Sequence, residues 1–226
     1  MKTSHAFSAG TPGPPGATFT PESTNFAVYC RAARSMELLL YADDSADEPF
    51  QVITLALPVH RDAFFWHVAV HELPIGTQYT WRVTLALPAG EQRAEVLDPF
   101  ARAISTSRWQ RAAWTPGGPL GLRGIVVPVQ DEPRPVPFGL EDAVIYELHV
   151  RGFTRHPSSG VRAPGTFSGL IEKIPYLLDL GVTHVQLLPI AAFDEQDVPP
   201  SVADLGLHNF WGYSPLALAS LHPGYG

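Results

Sequence analysis

The chain has 226 residues, 45% of them hydrophobic and 16% charged, with a formal net charge of −7 at pH 7. That balance supports a real core and excludes a globally disordered chain. The acidic net charge argues against nucleic acid or an anionic membrane as the main partner, and no run approaches the roughly 18 apolar residues that a membrane span needs.

The opening stretch MKTSHAFSAGTPGPPGA carries Lys2 but no apolar run of signal-peptide length, and its Pro and Gly residues would break one. Cys30 is the only cysteine, so no internal disulfide can form. A soluble chain in a reducing compartment, most simply the cytoplasm, is expected. The 23 prolines and 19 glycines suit many turns, and tandem repeats are not evident.

From Asn25 to about Leu87 the apolar pattern has a period of two. Phe26, Val28 and Cys30 fall on one face of a strand, Ala27, Tyr29 and Arg31 on the other. MELLLYA (36–42) and QVITLAL (51–57) are apolar runs of strand length. AFFWHVAV sets Phe64, Trp66, Val68 and Val70 on one side, and TQYTWRVTLA does the same with Tyr79, Trp81, Val83 and Leu85. Turn signals at Asp43-Asp44-Ser45, His60-Arg61-Asp62 and Pro74 to Gly76 separate them. Short strands at this spacing predict an immunoglobulin-like antiparallel β-sandwich with Phe26, Val28, Leu38, Phe64, Trp66, Tyr79 and Trp81 in its core.

The stretch from Thr115 to Gly139, TPGGPLGLRGIVVPVQDEPRPVPFG, is too rich in Pro and Gly for a regular element. It is expected to run extended over the surface, as a hinge or as a connector pinned at both sides. Beyond it the period changes. AVIYELHV (143–150) and VTHVQLLPI (182–190) are mostly apolar runs, as expected of strands covered on both faces. Between them TFSGLIEKIPYLLDLG places Leu170, Ile174, Leu177 and Leu178 at helical spacing, with Thr166 or Ser168 as N-cap and Gly181 as a left-handed stop. Pro175 should divide this helix, the second piece starting at the proline. The whole predicts a right-handed βαβ unit with parallel strands.

Candidate sites are few. His67 and His71 lie four apart, but on a strand that spacing is about 13 Å and cannot serve one metal ion. Asp194, Glu195 and Asp197 follow the second parallel strand; acid–base chemistry is one reading, an acidic surface loop the commoner one. His184 reads as a hydrogen-bonded core histidine. No phosphate-binding glycine loop and no nucleophile-elbow spacing is present. NFWGYS (209–214) remains: flat rings stack on the C–H face of a sugar, Asn209 adds an amide for hydroxyls, and Gly212 lets the backbone turn Trp211 and Tyr213 toward one cleft. Simple packing is the competing reading.

Three stretches occur in order, VIYELHVRGFT (144–154), GTFSGLIEKIPYLLDLGVTHVQLLPI (165–190) and NFWGYSP (209–215). Together they resemble the first third of the catalytic barrel in the alpha-amylase superfamily of glycoside hydrolases, and within it the bacterial glycogen debranching enzymes and isoamylases. Upstream, GATFTPESTNFAVYCRAARSMELLLY (16–41) and LDPFARAI (97–104) resemble the N-terminal glucan-binding sandwich of that group. Trehalohydrolases and branching enzymes share much of this pattern. The resemblance implies a carbohydrate-binding-module-like sandwich at residues 10–111, a connector at 112–142, and the start of a (β/α)₈ barrel at 143–226. It implies hydrolysis of α-1,6 branch points in glycogen or limit dextrin, by double displacement and without an organic cofactor. In that family the tyrosine of the WGY element stacks on the sugar at the cleavage point. The role carries over to Tyr213, with Trp211 and Asn209 lining the same loop. A chain that is only a non-catalytic α-glucan-binding module is the alternative from another class.

A complete barrel takes about 250 residues, whereas residues 143–226 hold two strands, one divided helix and a loop. The family's nucleophile, acid–base glutamate and third acid follow later strands, so the resemblance leaves no catalytic residue in this chain and implies an N-terminal fragment. Retaining glycosidases need two carboxyls about 5–5.5 Å apart, and no pair here matches the family's catalytic motifs. The purified chain should therefore release no reducing ends from glycogen or pullulan. Release above a heat-killed control would contradict this.

Overall fold

The structure, a computed structural model, describes residues 4–88, 90–107, 109, 121–128 and 139–226. The chain divides into two compact units, residues 1–130 with Leu216–Ser220, and residues 131–215 with 221–226.

In the first unit, β1 (Phe7–Ser8), β2 (Gly16–Phe19), β3 (Ser23–Tyr29), β6 (Arg61–Asp62) and β7 (Phe65–His71) form one five-stranded sheet. The other holds β4 (Ala33–Tyr41), β5 (Gln51–Thr54), β8 (Gln78–Leu87), β9 (Gly90–Val96) and β10 (Gly124–Ile125). The central strands run antiparallel: Phe26 opposes Val68 in the first sheet, and Leu38 opposes Trp81 in the second. This is the expected sandwich. Its core contains Phe26, Leu38, Trp66, Val68, Tyr79 and Trp81, all fully buried, with Val28 nearly so. The Phe26 and Tyr79 rings meet edge to face at 4.9 Å, a favoured geometry for aromatic pairs.

Phe64 departs from the expectation. It precedes β7, lies in a turn and is 41% exposed, its ring edge-on to Tyr29 and under the Arg31 guanidinium. Alternation assigned it to the inner face by extending the strand one residue too far. His67 and His71 do lie on β7, with separate partners: the His67 ring donates to the Ala9 carbonyl at 2.8 Å, and the His71 ring sits 3.1 Å from the Ser8 hydroxyl.

The outer face of the second sheet is a charged ladder. Glu37 accepts from Arg82 and Arg93, while Glu95 accepts from the Tyr41 and Thr80 hydroxyls, each at 2.7 Å. These partners explain why Thr80 is buried without belonging to the apolar core.

Much of the Pro/Gly-rich connector lies outside the described residues. Within it, Gly124–Ile125 pair with Gln78 and Tyr79 as a short strand, so the stretch contains a regular element after all. Arg123 lies over the Tyr41 ring at 3.5 Å and donates to the Ala46 carbonyl at 2.8 Å. Extended backbone suffices for such pairing, and Gly124 leaves room where a Cβ would stand 2.6 Å from the Tyr79 ring.

The LDPFARAI stretch crosses this unit through Asp98, which is fully buried. Its carboxylate accepts from the Tyr79 hydroxyl at 2.9 Å, the Trp81 indole at 3.3 Å and the Phe100 amide at 2.8 Å. Two carbonyls of the same stretch are also engaged: Pro99 accepts from the Leu218 amide, and Ala101 from the Ser220 hydroxyl. Burial raises the Asp98 carboxyl above its ordinary range, against the three donors, and drives the Tyr79 phenol well above its own.

A raised folded-state value means that the contribution of Asp98 is fully present below the unfolded carboxylate range, near 3.9. It fades as pH rises through the folded value. Asp98→Asn cannot titrate, so the melting-temperature difference between wild type and variant should move against the wild type from about pH 4 upward. Thermal melts across that range check it; a constant difference would remove Asp98 as the source.

Candidate functional site

The second unit begins with β11 (Ile145–Leu148), which pairs in parallel with β12 (His184–Leu187), Ile145 opposite His184 and Leu148 opposite Leu187. Three helical pieces intervene: α1 (Val150–Thr154), α2 (Phe167–Ile171) and α3 (Ile174–Asp179). The Thr166 hydroxyl caps α2 by accepting from the Gly169 amide, and Pro175 sits in the first turn of α3. Gly181 ends α3 at φ +77°, its amide donating to Leu178. Strand β13 (Ala191–Phe193) follows; of the last strand, β14 (Pro215–Leu221), residues 216–220 belong to the first unit.

Burial corrects the strand reading. Ile145 is 58% exposed, and Tyr146 and Val185 are exposed too. The helical stripe is divided: Leu177 is buried and Leu170 packs against the core, while Ile174 and Leu178 are exposed, as is Ile171 beside them. Among the described residues nothing closes over those faces. His184 is half-buried and shares a hydrogen bond with the Thr183 hydroxyl, so it is bonded as expected without being in a core.

The core of this unit lies elsewhere, around Val150, Phe193 and Tyr225, with Phe167, Leu170, Leu187 and Ile190 against them. His222 stacks on Phe193 at 4.0 Å. Glu195 points inward: it is 8% exposed, its carboxylate 3.9 Å from the Arg151 guanidinium and 3.7 Å from His222 Nε2. The expectation of an acidic surface loop thus fails for Glu195, while Asp197 is exposed as expected. Spacing along the loop gives no sign of Arg151, 44 positions upstream.

The backbone of those acids carries the aromatic loop. Asn209 donates its amide N–H to the Glu195 carbonyl at 2.7 Å and its Nδ2 to the Asp194 carbonyl at 3.2 Å. Its Oδ1 accepts from the Gly212 amide at 3.0 Å, and the Asp194 amide donates to Ser214. Both ends of the Asn209 side-chain amide are therefore engaged by backbone groups, one in the loop and one at its base. Trp211 and Tyr213 point the other way, 57% and 68% exposed. They line a hollow of about 540 Å³ together with Phe210, Asn209, His208 and Asp197. Two open aromatic faces beside a carboxylate and an imidazole can stack a ring and bind its hydroxyls. No group of three or more metal-ligating side chains occurs among the described residues.

His149 is the residue the sequence reading passed over. It is buried, its ring is stacked on Phe210 at 4.2 Å and 10°, and its two nitrogens meet the Gly152 amide and the Phe210 carbonyl. The legible signal was a histidine at a strand end, three residues before a glycine in HVRG, a spacing that suits a side-chain cap.

Residues 14–101 match the family model described as carbohydrate-binding module 48 (isoamylase N-terminal domain). The chain as a whole is 35% identical over 223 residues to the chloroplastic isoamylase SU1 of Zea mays, covering 92% of this chain and 28% of the relative. It is 34% identical over 239 residues to a glycogen debranching enzyme of Erwinia tasmaniensis, covering 96% and 34%. A crystal structure of pullulanase from Paenibacillus barengoltzii, in complex with maltohexaose and α-cyclodextrin, superposes with a TM-score of 0.67 at 30% identity, covering 96% of this chain and 33% of that one. The chain thus spans about a third of the length of these relatives.

Gly212 tests the loop geometry. Its φ of +84° disfavours any side chain, and a Cβ would stand 3.0 Å from the Phe193 ring and 3.2 Å from the Pro189 carbonyl. Gly212→Ala should cost roughly 1–2 kcal/mol from the left-handed conformation alone and shift the Trp211 environment. Melts and tryptophan emission check it; an unchanged emission would mean that the turn does not set the ring.

Proposed function

We propose that the chain is the N-terminal part of a debranching glycoside hydrolase of the alpha-amylase superfamily. In this reading the parent protein hydrolyses α-1,6-glucosidic branch points in glycogen or limit dextrin, in the cytoplasm, by double displacement and without an organic cofactor. Residues 10–111 form the glucan-binding module, 112–142 the connector, and 143–226 the beginning of a (β/α)₈ barrel. The relatives' names support this reading, as does the parallel pairing of β11 with β12 across intervening helices. No described helix is long and apolar enough to cross a membrane.

The observation that carries the site is the exposure of Trp211 and Tyr213 on a loop whose backbone is braced at Asn209 and Gly212. Exposed rings on a floppy loop would collapse on each other or on the core; braced ones stay available. Tyr213 stacks on the sugar at the cleavage point, Trp211 lines the cleft beside it, and Asn209 acts chiefly by shaping the turn. A second reading, that the chain works as an α-glucan-binding module without catalysis, is favoured by the family match of residues 14–101.

Aromatic contacts beyond area burial are worth ~0.5–1.5 kcal/mol. Tyr213→Ala in the parent protein should therefore lower kcat/KM on a branched glucan roughly tenfold, each 1.4 kcal/mol being a factor of ten. Tyr213→Phe keeps the ring and should cost far less. A packing tyrosine would instead lower the melting temperature and spare the kinetics. That outcome would end the stacking assignment.

A further inference from the structure

We propose that His149 is the positioning residue of the aromatic loop, holding the Phe210 carbonyl so that Trp211 and Tyr213 keep their faces open to a sugar; the sugar-facing purpose rests on the reading above.

The ring's protonation pattern follows from its partners. The Gly152 amide can only donate, so Nδ1, at 3.0 Å, accepts. The Phe210 carbonyl can only accept, so Nε2, at 2.7 Å, carries the proton. The Tyr225 hydroxyl lies 3.3 Å from the same Nε2. One imidazole thus joins the first turn of α1 to the aromatic loop 61 residues later.

The grip is also specific in place. The Phe210 carbonyl belongs to the peptide plane that contains the Trp211 nitrogen, so fixing that oxygen fixes the plane from which Trp211 departs. The Phe210 ring lies flat on the imidazole at 4.2 Å and 10°, and Trp211 stands edge-on to it at 6.4 Å. With the Asn209 amide held by Glu195 and the Gly212 amide by Asn209 Oδ1, His149 supplies the intermediate anchor. His149 itself is only 8% exposed. It does not reach the hollow, so its role is exercised through the loop.

Two substitutions separate positioning from simple helix capping. An asparagine oxygen sits at the δ position and can cap the Gly152 amide, but the side chain is too short for the Phe210 carbonyl. A glutamine amide reaches the ε position and can donate to Phe210, at the expense of the cap. The experiment uses the 226-residue chain labelled with 5-fluorotryptophan, the Trp211 resonance being assigned by Trp211→Phe. His149→Asn should move that resonance toward the free amino-acid value and make it several-fold more sensitive to a soluble paramagnetic agent, with a nearly unchanged melting temperature. His149→Gln should keep the Trp211 signal near wild type and lower the melting temperature by a few degrees. The reverse pattern, or a Trp211 signal indifferent to His149→Asn, would overturn the proposal. Maltotriose added to each chain is the second arm. Its response at Trp211 should weaken about tenfold in His149→Asn, which corresponds to 1.4 kcal/mol. If wild-type Trp211 ignores maltotriose while the ligand-free pattern holds, the positioning role stands and the sugar-facing reading falls.

Discussion

A carboxylate taken out of water must be met by donors, and each unit of this chain is organised around one that is. In the first unit Asp98 gathers the Tyr79 hydroxyl, the Trp81 indole and the Phe100 amide. Two of the largest core side chains thereby have their polar tips satisfied without opening the core. The donors are neutral and the burial complete, so desolvation outweighs them and the carboxyl's value rises. In the second unit Glu195 meets cationic and ionisable groups instead, Arg151 and His222. An inward-facing acid paired in this way fixes the chain direction at Glu195, and that backbone carries the aromatic loop through Asn209. Removing one member of such a set leaves the other exposed to the full cost of burial, which makes these positions sensitive out of proportion to their size.

The aromatic loop shows how exposure can be held in place. Water offers no reason for Trp211 and Tyr213 to stay outward, since ring collapse removes apolar area. The opposing term is supplied by backbone groups. Asn209 uses its amide nitrogen, side-chain amide and side-chain oxygen on the loop and its base, and Gly212 permits a turn that a Cβ would block against Phe193. The polar residue predicted to greet the substrate is thus largely occupied by architecture.

Period-two alternation made the sandwich legible because both sheets bury one face against the other, so the burial of Phe26, Trp66, Tyr79 and Trp81 follows from their positions in the pattern. Its failure at Phe64 is the ordinary failure of periodicity at an element's end, where the pattern continues and the strand does not. In the second unit the caps and breaks were legible for local reasons: Thr166 bonds three residues on, Pro175 cannot accept a place inside a helix, and Gly181 takes a left-handed turn. Only the local cap of His149 on Gly152 had a signal in the sequence; its grip on Phe210 and the pairing of Glu195 with Arg151 did not, because those partners lie 61 and 44 residues away. Side-chain spacing along the chain carries no information about contacts of that range.

The apolar strands of the second unit pose the remaining question in physical form. β11 and β12 read as strands covered on both faces, yet Ile145, Tyr146 and Val185 are open, and so are Ile171, Ile174 and Leu178 on the helices between them. Singly exposed apolar residues need no explanation, but a strand pair and its crossover helices exposed together amount to a face. Parallel strands are stable where layers of helix cover them. A barrel would bury the strand faces inside and the helical stripe against its wall, so one closure satisfies both. In the barrel proposed for this chain, the aromatic loop would then stand at the rim, on the side where strands end and loops begin.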